Sequence, residues 1–327
     1  MRTVPAFWAR PPGLLSELLL PVGAGWDAAG RLRQALARPY SPPVPLVCVG
    51  NLVAGGAGKT PVTLALAAHL VSRGIAVHLV TRGYGGRLGG PVRVDLARHA
   101  AAAVGDEALL HAARAPCWVA RDRADGVRAA VAAGAQMVVL DDGFQNPGIA
   151  KTLSLLVVDA AYGLGNGRVI PAGPLRESLA RGLARADALV LLGAETQPRC
   201  LESLRIDGAL PVLHAALRPV AGERLAGQRL LAFAGIGRPE KFFATVRECG
   251  AELVGTRSFA DHHPYRAGEI DQLLRAAEQA RARLITTAKD VVRVPPPMRA
   301  TIEVLEVEIR WADPAALVEL LRPVVAA

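Results

Sequence analysis

The sequence predicts an α/β protein: a mostly parallel sheet with helices on both faces, a smaller α/β C-terminal domain and an N-terminal amphipathic helix. Three observations predict it. From residue 45 onward, short apolar runs rich in β-branched residues alternate with longer Ala/Leu/Arg segments at helical spacing, the pattern of βα units. Several runs, such as Met137-Val138-Val139-Leu140, are apolar throughout and suit strands covered on both faces. The first run also leads directly into a glycine loop and then a helix. Of 327 residues, 51% are hydrophobic and 20% charged, enough apolar surface to bury a core and exclude a disordered chain.

The elements follow in order. Strands are predicted over Pro45–Val49, Ala76–Thr81, Cys117–Ala120, Met137–Leu140, Ser154–Asp159, Ala188–Leu192, Val212–Leu217, Leu230–Ala234, Leu284–Thr287 and Thr301–Val307. Helices are predicted over Thr60–Arg73, Asp106–Arg114, Arg123–Ala133, Leu175–Arg185, Pro239–Cys249 and Ala267–Arg283. Pro and Gly in Arg218-Pro219-Val220-Ala221-Gly222-Glu223 interrupt the alternation, so a boundary falls near 215–228. The expected organisation is an N-terminal segment over 1–40, a core domain over 41–220 and a smaller domain over 221–327.

Residues 1–40 differ from the rest. Phe7, Trp8, Leu14, Leu15, Leu18, Leu19 and Leu20 form an apolar stripe, with Arg2 and Arg10 at one end. Such a helix lies in a membrane interface or packs on its own domain, and spacing alone slightly favours packing on its own domain. Glu17 and Pro21 interrupt the stripe and no small-residue cleavage site follows, so no signal peptide is expected. Nor does any apolar run reach the ~20 residues of a membrane span.

Cys48, Cys117, Cys200 and Cys249 lie far apart with no C-x-x-C pair, which fits reduced core thiols. The net charge is +9, carried by 34 arginines and four lysines. Such a balance suits nucleic acid, anionic lipid or a phosphorylated substrate. With aromatics at 4% and no basic run interleaved with them, nucleic acid is excluded as the expected partner.

The most informative stretch runs from Val47 to Thr60. Its glycines let backbone N–H groups turn toward a phosphate, and the following helix N-terminus favours negative charge. Lys59 then reaches terminal phosphates and Thr60 offers a hydroxyl to Mg²⁺. The nucleotide-binding set is therefore Val53, Ala54, Gly55, Gly56, Ala57, Gly58, Lys59 and Thr60, a P-loop NTPase-like element in which Val53 replaces the first glycine. Asp141 and Asp142 end a buried strand at the carboxyl edge of the sheet, where α/β proteins bind ligands, and are candidate metal-side acids.

Acceptor chemistry needs a base and compensating charge, for which four constellations qualify. These are Thr81-Arg82-Gly83-Tyr84-Gly85-Gly86, Gly105-Asp106-Glu107, the loop from Gly165 to Glu177, and Phe259-Ala260-Asp261-His262-His263. Taken alone, Asp106 equally suits a first-turn helix acid, and Arg176 and Glu177 a surface pair. Two other function classes fit a bare P-loop: an ATPase or GTPase acting as an assembly factor or metallochaperone, and a non-catalytic membrane scaffold. The former usually carries Cys or His metal motifs, which this sequence lacks.

Together with Gly-Gly-Ala-Gly-Lys-Thr-Pro61, Asp-Asp-Gly-Phe-Gln, Pro-Ala-Gly-Pro-Leu-Arg-Glu and Thr-Ala-Lys289-Asp290, these motifs occur in the order of the tetraacyldisaccharide 4'-kinase family, which the chain resembles over nearly its whole length. The resemblance implies ATP and Mg²⁺ as cofactors. It implies γ-phosphoryl transfer to the 4'-hydroxyl of a lipid A disaccharide 1-phosphate at the cytoplasmic face of the inner membrane, with no obligate protein partner. It assigns Asp106 as catalytic base paired with His262, with Lys59 at the phosphates. Arg82, Tyr84, Asn166 and Arg176 become substrate-side residues, and Thr60, Asp141, Asp142 and Glu177 metal-side ones. Asn146 departs from the family pattern, which has His there. An acylated substrate does not leave the bilayer cheaply, so the interfacial reading of the N-terminal helix now leads.

Overall fold

Strand β1 (Leu46–Gly50) lies near the middle of the main sheet with all five residues buried. Its side chains alternate between two cores, Leu46 and Cys48 on one face, Val47 and Val49 on the other. The computed structural model describes residues 5–193 and 210–325, so Arg2 and Cys200 lie outside the described residues.

The strands β2 (Val77–Thr81), β3 (Val92–Arg93), β4 (Cys117–Val119), β5 (Met137–Asp141), β6 (Leu153–Asp159), β7 (Ala188–Leu192) and β8 (Val212–Pro219) follow. A second sheet is made by β9 (Arg229–Ala234), β10 (Glu252–Ser258), β11 (Arg283–Thr287) and β12 (Glu303–Leu305), before β13 (Val307–Trp311). Among the described residues the large sheet has the order β13-β8-β7-β6-β1-β5-β2-β4-β3, and the small one β10-β9-β11-β12. The large sheet is parallel except at its edges, where β3 and β13 run antiparallel to their neighbours. This is the expected architecture.

Before β1 come α1 (Leu14–Leu18) and α2 (Leu20–Ala35). On one face of the large sheet lie α3 (Lys59–Ser72), α4 (Ala101–Val104) and α5 (Asp106–Ala112); on the other lie α6 (Arg123–Ala132) and α7 (Leu179–Leu183). Val62, Leu66 and Leu70 recur every fourth residue on α3 and face one core, whereas Val127 and Ala130 of α6 face the other. In the second domain, α8 (Pro239–Glu248) buries Phe242, Phe243 and Val246, α9 (Ala267–Gln279) buries Ile270, Leu273 and Ala277, and the short α10 (Ala288–Val291) follows β11.

The predicted strand over 301–307 is two strands. The chain leaves the first domain through β8 and returns beside it as β13, pairing Val307 with Pro219 and Trp311 with Ala215. A last helix, α11 (Pro314–Val325), then buries Leu317, Leu321 and Val324 in the core of the large sheet. The span 221–327 is thereby corrected: the separate domain ends near β12, and two adjacent strands join the domains. Cys48 and Cys117 are buried free thiols, and burial pushes Cys48 up to about 12, so neither is poised to react.

Candidate active site

The glycine loop leaves the carboxyl end of β1 and turns into α3. Gly55 (φ +121°) and Gly58 (φ +82°) adopt left-handed conformations that L side chains rarely reach. A side chain at Gly58 would also meet Leu192 Cδ1 at 2.4 Å. Val53 is buried in a bridge to Leu175, and the Ala54 N–H donates to the Pro174 carbonyl at 2.8 Å, so both anchor the loop to the 165–177 segment. Val53 to Thr60 line the cleft, and Lys59 Nζ lies 3.1 Å from Asn51 Oδ1 and 3.7 Å from Asp142 Oδ1, facing the site.

The tandem aspartates separate by role. Asp141, the last residue of β5, is buried, accepting from Thr63 Oγ1 at 3.3 Å and lying 2.8 Å from His111 Nε2, so it positions α3 and α5 and does not face the cleft. Asp142 follows in a left-handed conformation (φ +53°) that turns its carboxylate to the cleft, where Arg176 engages it at 2.7 and 3.3 Å. Burial raises the Asp142 acid, but Lys59, Arg176 and Arg123 outweigh it and hold it down to about 2. It is the acid of the pair that suits a cation.

Glu177 does not. It is fully buried and bonded to Arg181 Nε at 2.8 Å, to Arg185 and to Gln145 Nε2 at 3.1 Å, leaving no face for a metal. Asn166 is likewise corrected from the substrate side: its side chain donates to Ser16 Oγ at 3.2 Å and the Ala172 carbonyl at 2.9 Å, fastening the N-terminal segment. Asn146 accepts from the Gly148 N–H at 2.8 Å and closes a local turn. Among the described residues no group of three or more His, Cys, Asp or Glu gathers around a metal position. The donor set of Thr60 and Asp142 instead fits Mg²⁺, which keeps waters and phosphate oxygens as its other ligands.

Asp106 opens α5 on the same rim. Gly105 (φ +90°) precedes it, and a side chain there would stand 2.5 Å from the Tyr84 carbonyl; one at Gly86 would lie 2.7 Å from the Gly105 nitrogen. These glycines let the Thr81–Gly86 loop lie against the start of α5, leaving Arg82 and Tyr84 at the cleft surface. From the second domain, His262 (φ +59°) brings Nδ1 to 2.8 Å from Asp106 Oδ2, with its ring 5.2 Å from that of Tyr84. Burial raises the Asp106 acid, but the His262 hydrogen bond and the charges of Lys289 and Arg293 together hold it below the usual carboxylate range.

Sequence reasoning left four contributors unassigned. Lys289 on α10 lies 3.0 Å from Glu107 Oε1 and 3.4 Å from His262 Nε2. Arg293 lies 3.4 Å from Asp106 and donates to buried Asp290 at 2.7 Å. Arg238 and Lys241 of the second domain pair with Asp159 of β6 at 3.0 and 2.8 Å across the cleft. The scarcity of lysine that singled out Lys59 applies equally to Lys289, and was the available signal. The cleft between the domains has a volume of about 2810 Å³, lined by the glycine loop, Asp142, Arg82, Tyr84, His262 and Lys289 among others.

A family model described as Tetraacyldisaccharide-1-P 4'-kinase matches residues 15–326. A protein from Rhodospirillum centenum named tetraacyldisaccharide 4'-kinase is 56% identical over 325 residues, covering 98% of this chain and 96% of that one. One of the same name from Paramagnetospirillum magneticum is 52% identical over 317 residues, covering 97% of each. The crystal structure of LpxK from Aquifex aeolicus in complex with ATP superposes with a TM-score of 0.77 at 24% identity, over 95% of this chain and 100% of that one, a likeness of fold.

Proposed function

The chain belongs to the tetraacyldisaccharide-1-P 4'-kinase family and is an ATP-dependent lipid A 4'-kinase, and on that premise we propose how its residues carry the reaction and where it works. The acceptor is the 4'-hydroxyl of a tetraacyl disaccharide 1-phosphate. The family match displaces the alternative of an ATPase or GTPase assembly factor.

The observation that carries the residue roles is the Asp106–His262 hydrogen bond, which joins the two domains beside the cleft that His262, Glu107 and the glycine loop line. Phosphoryl transfer depends on positioning and on offsetting charge over the equatorial oxygens. Gly55 to Lys59 would hold the terminal phosphates of ATP, and the Lys59 ammonium would offset the charge that builds up on them. Thr60 and Asp142 hold Mg²⁺, which when bound neutralises phosphate charge. The acceptor oxygen attacks the γ-phosphorus, the bond to the bridging β–γ oxygen breaks, ADP leaves, and the hydroxyl proton passes to Asp106. Asp106 is acceptor-only when ionised, and a pKa held below the usual carboxylate range keeps it ionised at neutral pH. Arg176 fixes the Asp142 carboxylate, and Arg82 and Tyr84 stand where the sugar enters.

The working place is a membrane surface, the cytoplasmic face of the inner membrane. Among the described residues no helix is long and apolar enough to cross a membrane. Yet α1 and α2 are turned inside out for a water-facing pair: Ser16 and Asp27 are buried, while Leu14, Leu15, Leu18, Val22 and Trp26 are exposed. An apolar face on the outside of a helix pair suits the acyl boundary of a bilayer, where the acceptor's chains reside.

The test is transfer of label from γ-labelled ATP to the disaccharide 1-phosphate in detergent. Label in the lipid with the wild type, and none with Asp106→Asn despite retained nucleotide binding, is expected. Label lost to water alone overturns the reading.

A further inference from the structure

Resting on that reading of the dyad, we infer that Lys289 is a positioning residue that sets which ring nitrogen of His262 carries the proton. An ammonium has donors and no acceptor. Lys289 Nζ, 3.4 Å from His262 Nε2 and 3.0 Å from Glu107 Oε1, therefore meets Nε2 as a donor meeting a lone pair. With Nε2 unprotonated, the ring proton resides on Nδ1, where it donates to Asp106 Oδ2 at 2.8 Å. Asp261 Oδ1, the other charged group facing Nε2, stands at 3.9 Å, beyond hydrogen-bond reach.

Both ring nitrogens are then committed, so His262 does not take the acceptor proton; it orients the carboxylate that does. Asp106 Oδ1 accepts one backbone N–H, from Glu107 at 2.9 Å, and keeps a second lone pair for the sugar hydroxyl. Burial disfavours the Lys289 ammonium, but Glu107, Asp106 and Asp261 outweigh it and hold its pKa above the usual lysine range, so it stays a cation. Its side chain is anchored from α10, whose Asp290 is buried and bonded to the Gly235 N–H at 2.7 Å and Tyr265 hydroxyl at 2.6 Å. Without Lys289 nothing holds the lone pair on Nε2, and a ring with its proton there presents a lone pair to the Asp106 carboxylate, a repulsive contact.

The experiment labels the histidine rings with ¹⁵N, assigns His262 by its absence in His262→Asn, and reads the nitrogen shifts near neutral pH with and without Lys289→Met. Expected is a wild-type His262 protonated at Nδ1 alone, moving toward Nε2 protonation in Lys289→Met. With it, kcat should fall about tenfold or more while KM for ATP changes less than about twofold, and Lys289→Arg should recover most of kcat. A wild-type ring protonated at Nε2 or at both nitrogens overturns the inference, as does a Lys289→Met enzyme with unchanged tautomer and kcat. The wild-type spectrum decides even if a variant fails to fold. It is also independent of phosphoryl transfer: a chain that labels no lipid sinks the proposed function and leaves the tautomer result standing.

Discussion

Replacing Leu14, Leu15 and Leu18 together by serine should strip the enzyme from its membrane and leave its fold intact. The three side chains are 79%, 53% and 68% exposed, so they contribute little to the core. Fully burying a leucine is worth about 1.5–3 kcal/mol, and a helix lying at the acyl boundary realises roughly half of that, about 1 kcal/mol per residue. The triple variant therefore loses about 3 kcal/mol of partitioning energy, which at 1.4 kcal/mol per decade is ~100-fold in lipid affinity. Sedimentation with vesicles containing anionic phospholipid measures it: the lipid concentration for half-binding should rise ~100-fold. The melting temperature should barely move, as for other exposed substitutions of about ±0.5 kcal/mol. Unchanged vesicle binding, or a variant destabilised by more than about 1 kcal/mol, would refute the reasoning, the latter because it places the leucines against their own domain.

Asp106→Asn should lower kcat by about 10²–10⁴ with the nucleotide dissociation constant nearly unchanged, measured by turnover beside a fluorescent-nucleotide titration. The same substitution should flatten the acid limb of stability. Because the folded Asp106 acid lies below its ordinary value of 3.8, it stabilises the fold above that pH and loses the contribution as pH falls through the lower, folded value. Wild-type melting temperature should thus drop more steeply than the variant's below about pH 4; parallel curves refute the assignment. Gly105→Ala, which forces a Cβ to 2.5 Å from the Tyr84 carbonyl at φ +90°, should cost about 1–3 kcal/mol in denaturant unfolding and displace Asp106, so kcat falls as well.

Much of the fold was legible because its signals are local. An apolar run such as Leu46-Val47-Cys48-Val49 has only one stable home, a strand covered on both faces, and the glycines after it have few uses besides a turn around an anion. The helix predicted over 175–185 shrinks to Leu179–Leu183, because Leu175 pairs with Val53 and Val169 as extended backbone, a tertiary contact without trace in periodicity. The return of β13 was hidden for a similar reason, since only the pairing with β8 distinguishes 307–311 from the strand just before it. At the site, the Asp106–His262 pair was reachable by motif. Side-chain direction was not: Asp141 and Asp142 are one residue apart and face opposite environments, buried in one case and open in the other. Asn166 and Glu177 share motifs with residues on the cleft, and a motif does not reveal which of its polar groups points to a ligand and which to a neighbouring loop.

Those two corrected residues account for how the membrane face is presented. Asn166 holds Ser16, and Glu177 holds Arg181, which in turn donates to the Asp27 carbonyl at 2.9 Å; the Asp27 carboxylate accepts the Ser178 N–H at 2.9 Å. The polar faces of α1 and α2 are thus bonded inward, through buried Ser16 and Asp27, to half-buried Asn166 and Arg181. Rotating α2 would strip the Ser178 N–H and Arg181 of their Asp27 partner, and rotating α1 would strip Asn166 of Ser16, each unsatisfied group costing about 1–3 kcal/mol against the roughly 1 kcal/mol gained per leucine covered. Glu177 also accepts from Gln145, and Gln145 from Arg176, the partner of Asp142. The carboxylate fixed at the nucleotide site and helix α2 at the lipid face are therefore joined by one continuous set of hydrogen bonds. That placement is what a kinase needs if its two substrates, one in water and one in the bilayer, are to meet at a single cleft.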